Sequence, residues 1–431
     1  MGWRPLLWGR SLDGRRGGRA GTRKPTGSLA VDRLPCDGGR TTRLNDAVPS
    51  YTANALSVPE SGIRRILEIA LTLDDIVALA VGEPDLPVAP HVLEAGSAAW
   101  LADDTRYTGN GGIPELRAAI ATKLRRDNGI DVGADQVWVT PGATEALYLA
   151  LGLILAPGDE VLIPDPGYTT FTMAPRMQFA VPVPYRLDAE HAFLPRAADL
   201  DALVTPRTRA IILNSPSNPL GVVFPEPVVR ELVGFAQRHD LWIVSDEVYE
   251  AFTYGLPHIS PASIDPTRVL TVQSFSKTYA LTGGRVGYLV TPPTPSSLLR
   301  SFQEALISCV NSPAQRAAVA ALEGPQDAVA AAAVHYRENL RAATALLDER
   351  GIRYREPDGA FYLWIDVSYA TGGDVTGWAE RFLLERRVSV APGSAFGAAG
   401  EGWIRVCAAA TREDLLEGLR RLPDPARPFV S

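Results

Sequence analysis

Between Ser274 and Arg285 the chain sets two serine hydroxyls, Ser274 and Ser276, one lysine, Lys277, and one arginine within twelve positions, directly after the apolar run Val269 to Val272. A lysine at the end of a buried strand is partly desolvated, which favours its neutral amine and makes it competent to form a Schiff base with a carbonyl. The hydroxyls of Ser274 and Ser276 and the cationic fork of Arg285 suit a phosphate monoester. An isolated Ser-x-x-Lys equally describes a strand-to-turn connection with a solvated lysine, so the motif needs support from elsewhere in the chain.

That support lies thirty-one residues before Lys277, where Leu241 to Val244 reads as a fully buried strand leading into Ser245 and Asp246. A buried carboxylate keeps a pyridinium nitrogen protonated, and the protonated ring is an electron sink for negative charge at an amino-acid Cα. A carbonyl, a phosphate ester and a pyridine ring in one ligand describe pyridoxal phosphate. The competing reading makes Asp246 a cap for the next helix. Glu247 reads as a structural or solvated neighbour.

At these residues the sequence resembles the class I/II pyridoxal-phosphate-dependent aminotransferases, enzymes of fold type I with the aspartate aminotransferase fold. The resemblance runs in register from about Asn45 to Leu422. It implies an α/β fold with a mostly parallel, seven-stranded-type sheet sandwiched by helices, plus a smaller α+β domain. The large cofactor-binding domain is expected over residues 81–295 and the small C-terminal domain over 296–431, with the segment 45–80 packing on the small domain. The proline cluster Pro292, Pro293 and Pro295 marks the boundary between the two.

Further site residues follow from this register. The turn Gly82-Glu83-Pro84-Asp85 is implied to bring the Gly82 backbone near the substrate carboxylate, a close approach that suits glycine. Gly142, Ala143 and Thr144 form a small-residue turn opening a helix, whose unpaired amides favour the cofactor phosphate, although an ordinary helix start has the same composition. Tyr168 is placed to stack on the pyridine face, with a core tyrosine as the alternative. Asn218 and Tyr249 are expected to donate hydrogen bonds to the cofactor's phenolate oxygen. The family usually carries Thr where Leu220 stands, a departure that touches the turn rather than the chemistry. Arg405, flanked by apolar strand residues, must find an anion. The resemblance makes that anion the substrate α-carboxylate, and an internal salt bridge is the alternative. Tyr107 is implied to reach the cofactor phosphate of a neighbouring subunit, and hence a homodimer with shared active sites. Gly359 to Tyr362 and Gly393 to Gly397 are expected at the entrance.

The elements that must hold these groups share one feature. Thr144, Tyr168, Asn218, Asp246 and Lys277 each lie just beyond the last apolar residue of an expected buried strand, and ligands of open α/β sheets bind at those carboxyl ends. Beyond residue 295 the pattern turns to Ala-rich helices over 297–322 and 326–350, short strands at 361–365 and 403–407, and a final helix capped at Thr411.

Composition narrows the function classes. The chain has 431 residues and 46% hydrophobic content, enough for two or three domains with sizeable cores. Its net charge of -7 is uneven: residues 1–43 hold ten Arg and Lys against three Asp, so the remainder carries about -14, which argues against a nucleic-acid surface on the main body. The basic stretch over 1–44 is rich in Gly and Arg and is expected to be a disordered arm. A transit peptide is an alternative reading, opposed by the repeated Gly and Pro. Cys36, Cys309 and Cys407 have no ligand spacing and the five histidines no cluster, so no metal is expected and a cytoplasmic setting is. No apolar run reaches bilayer-spanning length.

The implied reaction moves an amino group from an L-amino acid to a 2-oxo acid. Lys277 is expected to hold the cofactor and then shuttle the Cα proton, with Asp246 and Tyr249 as the other catalytic groups. The same residues also serve β-eliminating lyases of this fold, and a noncatalytic cofactor-binding regulator is a further alternative.

Overall fold

The computed structural model describes residues 49–426; the expected basic arm lies outside the described residues. Four apolar, β-branched runs, Val137–Thr140, Thr208–Asn214, Trp242–Asp246 and Val269–Ser274, become strands buried on both faces, as covered parallel sheets require. They belong to a seven-stranded sheet in the order Val137–Thr140, Gly287–Val290, Val269–Ser274, Trp242–Asp246, Thr208–Asn214, Glu160–Asp165, Val181–Arg186. Only Gly287–Val290 runs against its neighbours; every other pairing is parallel.

Alternate strand residues feed cores on opposite faces. Ile211, Ile243 and Val269 pack with Leu116, Ile120, Leu232 and Phe235 on one side, while Ile212, Val244 and Leu270 pack with Leu147, Ala150 and Phe171 on the other. The sheet is thus enclosed by helices, and its parallel strands share one carboxyl edge.

The strand Val181–Arg186 has no counterpart among the sequence expectations, because Pro182 and Pro184 interrupt it. Its position explains the tolerance: it is an edge strand paired only with Glu160–Asp165. The two prolines sit two residues apart, so both missing N–H groups fall on the same side, and the flanking Val181 and Leu187 amides donate inward to Asp159 and Asp165, each at 2.8 Å.

A four-stranded antiparallel sheet, in the order Ala391–Pro392, Trp403–Cys407, Tyr362–Asp366, Tyr354–Arg355, forms the second body. Val77–Ala78 pairs in parallel with Val388–Ser389, and Ile66, Ala70 and Leu79 join the core behind this smaller sheet. The expected helix over 297–322 is two helices, Ser296–Leu306 and Ser312–Glu323. Asn311 supplies the break: its side chain accepts from the Ala314 amide at 2.8 Å, and Pro313 follows in the first turn. Both helices bury their apolar faces with the large sheet, through Leu299 on one side and Ala317, Ala318 and Ala321 on the other.

Candidate active site

The carboxyl edge of the large sheet opens into a cavity of about 410 Å³ that also reaches residues of the smaller body. Adjacent strand ends bring Asn214 beside Asp246, and Gly287 beside both Ser274 and Thr140. Of the residues singled out from sequence, Gly82, Ala143, Thr144, Tyr168, Asn218 and Asp246 line the cavity, as do Tyr249, Ser274, Ser276, Lys277, Arg285 and Arg405.

One end of the cavity is built for an anion. The helix Ala143–Ile154 starts there with its first-turn amides free of side-chain caps. Gly142 precedes it at φ +86°, a conformation that glycine adopts without strain, and any Cβ at this position would meet the Arg285 guanidinium. Arg285 itself sits at φ +51°, an unusual backbone for an arginine. Its guanidinium donates to the Thr282 and Pro141 carbonyls at 3.0 and 3.1 Å and has no carboxylate partner among the described residues. Ser274 Oγ donates to Ser276 Oγ at 2.9 Å, so the two buried hydroxyls sit together. A cation, paired hydroxyls and a helix start without side-chain caps match a phosphate ester, and the one first-turn acid, Glu145, is not among the cavity-lining residues.

In the middle stand Lys277 and Asp246. Lys277 donates from Nζ to the Gly82 carbonyl at 2.6 Å, and burial lowers its pKa to about 8. Asp246 is 6% exposed, and burial pushes its pKa up to about 7. A carboxylate in that position gains most from a protonated nitrogen placed against it, and the pyridine of the cofactor would supply one. Asp246 does not cap a helix; among the described residues its Oδ1 accepts only from the Val248 amide, at 3.3 Å within the same turn. Tyr168 lies edge-on to Phe171, with ring centroids 5.7 Å apart, and still lines the cavity. Tyr249 OH is 2.6 Å from Tyr362 OH, and burial followed by the Tyr362 contact raises its pKa, so it stays a proton donor at neutral pH.

Arg405 closes the far end. It is 2% exposed, with Nη1 donating to Asn218 Oδ1 at 2.8 Å and Nη2 to the Ala80 carbonyl. Tyr362 and Phe396 sandwich it, 4.4 and 5.0 Å from the guanidinium carbon. No carboxylate pairs with it among the described residues, and its buried Nε has no hydrogen-bond partner. The internal salt bridge that sequence left open is therefore absent there, and an incoming carboxylate would complete the site.

Two singled-out residues stand apart from the lining. Gly142 acts one step back, through Arg285. Tyr107 is 89% exposed and sits with Trp100, Cys309 and Pro313 on a different surface. At the entrance only Tyr362 lines the cavity; Phe396 contributes through Arg405.

The cavity also holds residues that sequence reasoning passed over. Asn214 joins two strand ends, donating to the Asp246 carbonyl at 3.1 Å and accepting from the Asn218 amide at 2.8 Å. Its position directly after the Ala210 to Leu213 run was the available signal. Arg64, from the helix Gly62–Ala70, lines the mouth beside Ser61, Ile63 and Leu67. Its neighbour Arg65 pairs with Glu380, whereas the exposed Arg64 guanidinium pairs with no described residue. No local pattern marks one of two adjacent arginines as cavity-facing.

Comparison with known proteins accords with this geometry. The profile of the family described as aminotransferase class I and II matches residues 74–422. An aspartate aminotransferase of Pyrococcus horikoshii is 34% identical over 371 residues, covering 85% of this chain and 95% of the relative. The aromatic-amino-acid aminotransferase 2 of Thermococcus litoralis is 36% identical over 371 residues, again covering 85% and 95%. The solved structure of Thermus thermophilus aspartate aminotransferase with maleate superposes with a TM-score of 0.82 at 35% identity, covering 87% of this chain and 99% of that one. The chain belongs to the class I and II aminotransferases: it is an enzyme that transfers amino groups and depends on pyridoxal phosphate.

Proposed function

We propose that this aminotransferase takes an acidic L-amino acid, aspartate or glutamate, as donor and a 2-oxo acid as acceptor. The observation that carries the reading is that, apart from Arg285 at the phosphate end, two further arginines of the cavity have no carboxylate partner among the described residues: Arg405 buried at its far end, and Arg64 at its mouth. A dicarboxylic substrate offers one carboxylate to each. The aspartate aminotransferases among the relatives support the same choice. An aromatic donor is the second reading, favoured by Ile63 and Leu67 beside Arg64 and by the Thermococcus litoralis relative.

The residues take the following parts. Ala143, Thr144, Ser274, Ser276 and Arg285 would hold the cofactor phosphate, with Gly142 leaving room for Arg285. Asp246 would pair with the ring nitrogen, Tyr168 would cover the ring, Asn218 and Tyr249 would donate to the phenolate oxygen, and Lys277 would bind the aldehyde carbon. Bound pyridoxal phosphate supplies the electron sink that stabilises negative charge at the substrate Cα. Arg405 fixes the substrate α-carboxylate, and the Gly82 backbone lies beside it. Once the substrate amine has taken its place at the aldehyde carbon, the freed Lys277 amine, neutral above a pKa of about 8, would take the Cα proton and return it on the other side of the transfer. Tyr362 stacks against the Arg405 guanidinium, 4.4 Å from its carbon, and so fixes the plane of the fork.

We further read the enzyme as a homodimer. Trp100, Leu101 and Tyr107 are 58%, 89% and 89% exposed, an apolar surface that a second copy would cover while carrying Tyr107 to the other copy's phosphate site. We place the division between the two bodies near Gly324 rather than at 295, because the helices through Glu323 pack on the large sheet. A cytoplasmic setting fits the free thiols of Cys309 and Cys407.

The test is the donor half-reaction with aspartate, glutamate, phenylalanine and alanine. Arg64→Ala should lower kcat/KM for aspartate and glutamate by about tenfold, the weight of one charge-assisted contact, and spare phenylalanine. Equal losses for acidic and aromatic donors would remove Arg64, and with it the acidic-donor reading.

A further inference from the structure

Behind the strand end that carries Asp246 lies a second cluster of charge that amino transfer does not use. Glu247 is completely buried. Its Oε1 accepts from Ser245 Oγ and Ser260 Oγ, each at 2.7 Å, and its Oε2 lies 3.0 Å from His258 Nε2. Glu250, a little further along, accepts from Lys123 and Asn128. Ligand atoms of Glu247, Glu250 and His258 lie within 4.8 Å of one another, close enough to hold a cation. Lys123 opposes Glu250, and His258 opposes Glu247 when protonated, so the cluster can balance without a metal ion; the buried His258 Nδ1 has no hydrogen-bond partner among the described residues. Burial alone would lower the His258 pKa; the Glu247 carboxylate, their hydrogen bond and Glu250 together raise it above its ordinary value.

The position of this cluster gives it a bearing on the cofactor. Ser245 and Glu247 flank Asp246, and in extended chain the side chains on either side of a residue leave by the opposite face. Glu247 therefore ties both neighbours of Asp246 to the segment that holds His258 and Ser260. Its own amide donates to the Val272 carbonyl at 3.0 Å, which pins the same point to the strand Val269–Ser274 that leads into Lys277. The charge matters as well. Burial raises the Asp246 pKa first, and the adjacent Glu247 carboxylate raises it further. A Glu247 left without a counter-charge would push Asp246 towards its neutral form.

We propose that His258 and Glu247 are a positioning pair for Asp246: the imidazolium neutralises Glu247 so that Asp246 keeps its charge for the ring nitrogen, and the three hydrogen bonds on Glu247 hold the strand end from which Asp246 projects. The pair rests on the reading of Asp246 given above. It acts through Asp246 and touches neither substrate nor cofactor.

The test is the pyridoxal phosphate dissociation constant of the cofactor-free protein, measured by titration at pH 7.5 for a set of variants. His258→Gln removes the counter-charge and should raise the constant by about tenfold, the equivalent of one pKa unit. Glu247→Gln removes the offending carboxylate and should leave it within about threefold of the parent, and the Glu247→Gln/His258→Gln double variant should return to that level. In an Asp246→Asn background, His258→Gln should add nothing. An unchanged constant in His258→Gln, or a double variant weaker than His258→Gln, overturns the pair. If His258→Gln fails to fold, Glu247→Gln decides: affinity kept within about threefold supports the pair, and a tenfold loss overturns it. Should Asp246→Asn itself bind the cofactor like the parent, the reading of Asp246 fails first and takes the pair with it.

Discussion

Replacing Arg405 with lysine probes the site where the structure is most specific about shape. The guanidinium is held by Asn218 at 2.8 Å and by the Ala80 carbonyl, and stacked 4.4 Å from Tyr362, which leaves Nε and the outer edge of the fork for a carboxylate. Lysine keeps the charge but presents a point donor, so at least one charge-assisted hydrogen bond, about 1.5–3 kcal/mol, is lost. The flat stacking surface goes too, at about 0.5–1 kcal/mol. Together these predict a loss of about 2–4 kcal/mol, or roughly 30- to 1,000-fold in kcat/KM. Donor and acceptor present the same α-carboxylate to the same fork, so both half-reactions, followed separately by rapid-mixing absorbance, should fall by the same factor. Cofactor affinity should fall far less, because no phosphate contact is touched and the one link to a cofactor residue is the hydrogen bond to Asn218. A loss below about fivefold, or a loss confined to one half-reaction, would refute the assignment.

Three other outcomes follow from the same geometry. Asp246→Asn should bind cofactor more weakly and cut kcat by about 3–5 kcal/mol in barrier, the cost of breaking a buried charge pair, as read from steady-state rates. Glu145 has both carboxylate oxygens buried without a hydrogen-bond partner among the described residues, and burial raises its pKa to about 7. Its raised value means that the native state binds more protons than the unfolded chain between pH about 4.5 and 7, so the parent loses stability as pH rises through that window. Glu145→Gln lacks the effect and should gain up to about 3 kcal/mol on the parent between pH 5 and 8, visible as a widening difference in Tm. Finally, Lys277 with a pKa near 8 should make the rate of cofactor capture by the cofactor-free protein rise with pH and level off above about 8. A rise continuing to pH 10 would show an unperturbed amine.

The chemistry is legible in the sequence where it coincides with strand ends. Apolar runs announce buried strands on their own, so the residue pattern alone places Asp246 and Lys277 at one edge of a sheet. Arg405 is legible for a related reason: an arginine inside an apolar strand declares that it needs an anion. What stays hidden depends on geometry that no short window encodes. Arg64 and Arg65 are adjacent on one helix, and only tertiary packing turns the first to the cavity and the second to Glu380. Tyr362 gains its place through contacts with Arg405 and Tyr249, both far away in sequence. The Val181–Arg186 strand is masked by prolines that only an edge position accommodates. Glu247 reads from sequence as either a structural or a solvated residue, and complete burial with three side-chain donors removes the second possibility.

The most direct test of amino transfer itself is a single-turnover experiment on the holoenzyme with aspartate and no acceptor. One equivalent of 2-oxo acid should appear per active site, with the cofactor's yellow band lost, and 2-oxoglutarate should then restore the band and yield glutamate. An unchanged yellow band with aspartate, together with continuous release of pyruvate, ammonia and the free thiol from a cysteine conjugate without any acceptor, would contradict amino transfer and assign the site to an eliminating lyase.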